Sequence, residues 1–215
     1  MCVCMSIQKF CANVTFIYPF VFCTFGSNMN LADILKSASM LIVILYHLPF
    51  DACLLLAIPI QIAVGVFFFL SGVFWKRRPI LAQLFRISYS RVAPYLIGVF
   101  IMHWLNPVNF LFPGGSYLWF FWALIIYETA QTFNGSLPVV LSILVFCASG
   151  WSSLGWYLLV YSYVYSLGNM TRDSVKPMLV ASHGPDNIVS CIGRNTKWLY
   201  LFHYPLIVVI YMTLS

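Results

Sequence analysis

Leu31-Ala-Asp-Ile-Leu-Lys-Ser-Ala-Ser-Met-Leu-Ile-Val-Ile-Leu-Tyr-His-Leu48 is mostly apolar and holds neither glycine nor proline, so it reads as a helix. Its polar members are few: Asp33, Lys36, two serines, and His47 near the far end. Eleven positions separate Lys36 from His47. At ~100° per residue both return to about the same face, ~16 Å apart along the axis. Asp33 falls within about 40° of that stripe. Ionisable groups are costly to bury in a membrane-length apolar segment, which makes the stripe a candidate site rather than routine composition.

The rest of the chain has the same character. Of its 215 residues, 62% are hydrophobic and 7% charged. Its mean hydropathy is +0.91. A soluble domain carries roughly a quarter charged residues, so this chain has too little polar surface to cover a globule in water. Only helices and closed barrels satisfy every backbone group in lipid. Barrel strands alternate apolar and polar residues, whereas these runs are continuously apolar. The expected fold class is therefore all-α: a polytopic transmembrane helical bundle of about six to seven spans.

The net charge of +6 does not point to nucleic acid, because its distribution is uneven. Five of the eleven basic residues lie between Lys76 and Arg91, while residues 92–171 carry one formal charge, Glu128. Basic clustering between two apolar runs reads as a cytoplasmic loop. Helix 31–48 then runs from inside to outside, with Lys36 at the cytoplasmic end and His47 toward the outer leaflet. Four of the seven cysteines lie in the first 23 residues, and none shows metal-ligand or paired spacing. Neither a zinc site nor a disulfide framework is expected.

Along the chain, residues 1–28 form an uncertain apolar segment: a signal-like stretch, an extra span, or upstream translation if Met29 is the start. The membrane domain is expected over 29–215. Pro49 and Asp51 make a short turn, and Ala52–Trp75 is a second span. After the basic loop, a third run extends from Val92 to about Leu105, with Pro94 tolerated near its helix start. Residues 106–115 are a Pro/Gly loop. Tyr117-Leu-Trp-Phe-Phe-Trp122 reads as an aromatic belt at a water interface, opening a fourth run to about Thr132. Leu137–Leu167 is either one tilted helix or two short ones divided at Gly150–Gly155. Gly168–Asn195 reads as an extramembrane loop, and Lys197–Ser215 as the last span. His103 and His183 read as interfacial and solvated. Gly65 and Gly72 are expected to permit close helix approach.

Four stretches carry a resemblance. They are Asp33-Ile-Leu-Lys36 leading to Val43-Ile-Leu-Tyr-His47; Gly65-Val-Phe-Phe-Phe-Leu-Ser-Gly72 with the basic stretch ending Arg91-Val-Ala-Pro-Tyr-Leu96; Leu118-Trp-Phe120; and Ile192-Gly-Arg-Asn195 leading to Tyr200-Leu-Phe-His-Tyr-Pro-Leu206. Their order and spacing resemble the acyltransferase 3 family of integral membrane acyltransferases, over roughly residues 30–130 and 190–215. Family members are longer between the third and fourth stretches, and arginine is commoner where Lys36 stands.

The resemblance implies transfer of an acyl group, usually acetyl from acetyl-CoA, to a hydroxyl of a cell-surface glycan or other envelope molecule. No permanently bound cofactor is implied, acyl-CoA being the donor substrate. His47 suits the base that takes the hydroxyl proton. Lys36 either meets donor phosphate or orients Asp33. Arg86, Arg91, Arg77 and Arg78 are candidates for the CoA phosphates, against a plain role in setting topology. Glu128, Tyr200 and His203 are further candidates, with Glu128 otherwise hydrated near the inner interface. The expected partners are acyl-CoA, a glycan acceptor, the lipid bilayer, and an oligomeric or second membrane chain. The expected location is a bacterial inner membrane. Two other readings stand beside this one: a small transporter or channel, and a non-catalytic, shortened acyltransferase-like partner protein.

Overall fold

The structure, a computed structural model, describes residues 30–47, 53–105, 118–149, 153–181, 184 and 187–214. The readings of residues 1–28, of the turn at Pro49 and Asp51, of the loop 106–115, of Tyr117 and of His183 lie outside these. Of His103 only the backbone is described. The chain is all-helical, with no strand among the described residues.

Helix α1 (Leu31–His47) starts where the apolar run begins, because Asn30 caps it. The Asn30 Oδ1 accepts from the Asp33 N–H at 2.9 Å, satisfying a donor that the first turn leaves open. Helix α2 (Cys53–Phe74) follows, then α3 (Ile80–Ile87), a π-helical segment (Ser88–Val92) and α4 (Ala93–Leu105). The remaining helices are α5 (Trp119–Phe133), α6 (Leu137–Ala148), α7 (Ser153–Met170), α8 (Arg172–Val180) and α9 (Ile188–Leu214). The run 137–167 is thus two helices, one ending at Ala148 and the next starting at Ser153, with Gly155 inside the second.

Two expected loops are largely helical. The basic loop of 76–91 shrinks to Lys76–Pro79, and α3, the π segment and α4 form one continuous rod. Its stretch Ile80–Ile101, 22 residues, is the one described helix long and apolar enough to cross a membrane; Ile58–Phe74 and Leu137–Ala148 are shorter apolar helices. Pro94 lies well inside this rod rather than at its start. It has no N–H, and its ring crowds the carbonyl of Ser90, so an ordinary α turn cannot close there. The π segment lies immediately before it, and the Ala93 N–H donates to the Ser88 carbonyl, five residues back.

The second correction concerns Gly168–Asn195, which contains α8 and the first two turns of α9. Asn187 and Ser190 close the start of α9 reciprocally. The Ser190 N–H donates to Asn187 Oδ1 and the Asn187 N–H donates to Ser190 Oγ, both at 3.1 Å. Cys191, in the same helix, is disulfide-bonded, a pairing that the cysteine spacing did not announce.

The core centres on Phe68, which is fully buried. Its ring stacks on Tyr161 with centroids 4.9 Å apart and meets Phe120 at the same distance. Phe120 and Phe121 are buried against Tyr200. The aromatic run expected to mark a water interface is instead inner packing, because α5 turns that face toward α2, α7 and α9.

Glycines set the closest approaches. A Cβ on Gly72 would fall on the Tyr165 carbonyl oxygen, and one on Gly168 would fall on the Phe69 carbonyl oxygen. Helices α2 and α7 therefore meet backbone to backbone through one glycine from each. Gly193 of α9 stands in the same relation to the Asp33 backbone of α1. Gly65 does not share this role, since its Cβ would meet only the Tyr161 ring, at 3.8 Å.

Replacing Gly72 by alanine is expected to destabilise the protein by about 1–3 kcal/mol through overpacking. Gly65→Ala should be near neutral. Thermal unfolding of the detergent-solubilised chain checks this, and equal midpoints for the two variants would contradict the packing described.

Candidate functional site: a cationic cavity between helices

A cavity of about 270 Å³ lies among α1, α2, the α3–α4 rod, α5 and α9. Helices α2 and α5 give it an apolar wall that includes Phe67, Leu70, Phe74 and Leu124. Across from that wall stand Lys36, Arg86, Arg91, Arg194 and Lys197. Five cations around so small a space need counter-charge, and the structure supplies it from just outside the lining.

Glu128 is the principal counter-charge. It is 1% exposed, one turn beyond the cavity-lining Leu124 on α5. Its Oε2 accepts from Arg86 Nη2 at 3.0 Å. Its Oε1 accepts from Arg91 Nε at 2.9 Å and Arg91 Nη2 at 2.7 Å. Residues five apart stand ~140° apart around a regular α-helix. The π segment between Arg86 and Arg91 takes in an extra residue in its turn, which brings the two guanidiniums to one side of the rod. Burial at this level removes one of the two readings of Glu128, hydration at the inner interface. Arg86 Nε is a buried donor that finds no hydrogen-bond partner among the described residues.

Lys36 is held more loosely. Its Nζ lies 3.4 Å from Oδ1 of Asp33, which is 3% exposed, and 5.6 Å from the centroid of the Phe74 ring. On α9, Gly193, Lys197 and Tyr200 follow at i, i+4 and i+7, so one face of that helix lines the cavity. Arg194 Nη2 donates to Ser190 Oγ at 3.4 Å, and Lys197 Nζ sits 4.7 Å over Trp198. The close approach at Gly193 is what brings these cations beside Lys36.

His47 is not among the residues lining this cavity. Its ring instead meets His203 at a centroid distance of 5.1 Å, with Tyr46 and Tyr204 each at 5.4 Å. His203 is 6% exposed, and its Nδ1 lies 2.7 Å from the Tyr200 carbonyl. That geometry makes Nδ1 the donor, since a carbonyl oxygen only accepts. The Tyr200 ring lies 5.4 Å from the His203 ring and itself forms part of the cavity wall. A continuous line of side chains thus runs from the cavity through Tyr200 and His203 to His47.

Of the residues expected from the sequence, Lys36, Arg86, Arg91 and Tyr200 meet in the cavity wall. Asp33 and Glu128 stand behind its cations, and His47 and His203 pair beyond Tyr200. Arg77 and Arg78 are exposed between α2 and α3 and line no part of the cavity. Sequence reasoning missed Arg194, Thr196 and Lys197 as lining residues, having placed the first on a loop. For Thr196 and Lys197, the i+4 and i+3 spacing to Tyr200 was the available signal. No protein-family model, curated protein or solved structure matches the chain.

Arg91→Ala removes two of the three hydrogen bonds to Glu128 but leaves it paired with Arg86, so it is expected to lower unfolding stability by about 1–3 kcal/mol. Arg77→Ala, at an exposed position, should stay within about 0.5 kcal/mol. Denaturation of the two purified variants checks the contrast, and an unaffected Arg91→Ala would argue against the ion-paired core.

Proposed function

We propose that the chain is a multi-pass membrane O-acyltransferase that moves an acyl group, acetyl in the simplest case, from acyl-CoA to a hydroxyl of an envelope glycan. The observation that carries this reading is the convergence of Lys36, Arg86 and Arg91, picked from separate stretches of sequence, on one cavity with an apolar wall. Acyl-CoA is a polyanion at one end and a neutral thioester at the other. Cations and base must therefore lie apart, and the ~16 Å between Lys36 and His47 along α1 provides the separation.

In this reading the cations hold the CoA phosphates, and the extended arm leads past Tyr200 toward His47. The acceptor hydroxyl oxygen attacks the thioester carbonyl carbon and the C–S bond breaks. The hydroxyl proton goes to the His47 imidazole and then to the departing thiolate. His203, fixed by its bond to the Tyr200 carbonyl, braces the His47 ring. The bundle spans the cytoplasmic membrane several times, with the cavity on the donor side and His47 toward the acceptor.

Membranes containing the chain should transfer label from acetyl-CoA to a glycan acceptor. His47→Ala should abolish transfer without lowering protein abundance, and Lys36→Ala should raise the KM for acetyl-CoA by roughly tenfold, the loss of one phosphate contact. Label incorporation no greater than in empty membranes, across a panel of envelope glycans, would defeat the proposal.

A further inference from the structure

Two carboxylates, Asp33 and Glu128, face five cavity cations, which leaves the site strongly positive. The product of acyl transfer keeps every phosphate of the donor. A cavity that bound those phosphates as tightly as its cations allow would hold product as firmly as substrate, and uniform binding of this kind does nothing for the chemical step. Some element must moderate the attraction.

We propose that Glu128 is that element: an internal counter-anion that keeps a phosphoryl polyanion exchangeable in the cavity. The inference rests on reading the cavity as the donor site. Glu128 does not line the cavity; both of its oxygens are taken by guanidiniums that do. It thus stands behind Arg86 and Arg91, fixes their planes, and subtracts one charge from the field they project. Three guanidinium-to-carboxylate hydrogen bonds leave the other N–H groups of the two arginines unclaimed by Glu128. These are the donors on offer to a phosphate. Glu128 is a positioning and tuning residue, acting through the arginines on a ligand it does not touch.

The test uses the full chain in detergent, with inorganic pyrophosphate and CoA as probes at low ionic strength. Glu128→Gln keeps the side-chain shape and removes the charge. It is expected to bind pyrophosphate at least about tenfold more tightly than the unmodified chain. In the acetyl-transfer assay the same variant should show a lower KM for acetyl-CoA together with a lower kcat, because CoA departs slowly. Should Glu128→Gln alone fail to fold, the double variant Glu128→Gln/Arg86→Gln, which removes one charge of each sign, is compared with Arg86→Gln. It is expected to bind pyrophosphate several-fold more tightly than Arg86→Gln, which keeps the Glu128 charge.

Unchanged or weaker pyrophosphate binding by Glu128→Gln overturns the inference. So does a double variant that binds no more tightly than Arg86→Gln, and so does an unmodified chain that binds no pyrophosphate. Acetyl transfer without the expected binding pattern rejects this inference and leaves the acyltransferase reading standing. The binding pattern without acetyl transfer rejects that reading alone.

Discussion

The contact on which the rest depends is the one between a buried carboxylate and two guanidiniums. A lone charge at the position of Glu128 would be costly to hold inside a helical bundle, and so would Arg86 and Arg91 on their own. Together they fix the α3–α4 rod against α5 in one register. That register defines a wall of the cavity and decides which cations face it. The π segment is part of the same constraint. Pro94 disturbs the turn before it, and the extra residue accommodated there allows two arginines five positions apart to reach one acceptor.

Backbone proximity does the corresponding work on the other side. Gly72 and Gly168 bring α2 and α7 into direct contact, and Gly193 does the same for α9 and α1. In an apolar medium helices gain little from excluding water, so close packing of small residues carries much of the association. Here it also delivers chemistry. The approach at Gly193 sets Lys197 and Tyr200 beside Lys36, and the line from Tyr200 through His203 to His47 follows from it. Electrostatic and steric determinants thus meet at one site from opposite faces.

Much of this was legible in the sequence. Helix α1 and the all-helical class follow from periodicity and composition, whereas the stripe of Asp33, Lys36 and His47 does not line one site: His47 lies against His203, outside the cavity that Lys36 lines. The grouping of Lys36 with Arg86 and Arg91 followed from the family resemblance. What sequence reasoning misjudged has a common cause. Charge was read as a sign of water, so the stretches around Arg86 and Arg194 became loops, and hydration was one of two readings of Glu128. In a chain with so few charges, a charged residue is often paired inside rather than solvated outside, and the partner lies dozens of positions away. Pairwise contacts of that separation leave no local pattern. Phe120 and Phe121 were misjudged for a related reason: aromatic side chains serve both an interface and a core, and only the packing of α5 distinguishes the two.

The depth of Glu128 has a consequence for how the protein meets its surroundings. Mobile ions screen exposed charges over about 10 Å at 0.1 M salt, but reach a pair sealed from solvent much less. Lys36, Arg86 and Arg91 keep similar side-chain exposure, between 21% and 29%, and are therefore open to the ionic composition of the medium, while the Glu128 carboxylate, at 1%, is insulated from it. In the proposed reading, salt around the chain then weakens ligand capture by these cations without reaching the carboxylate behind them.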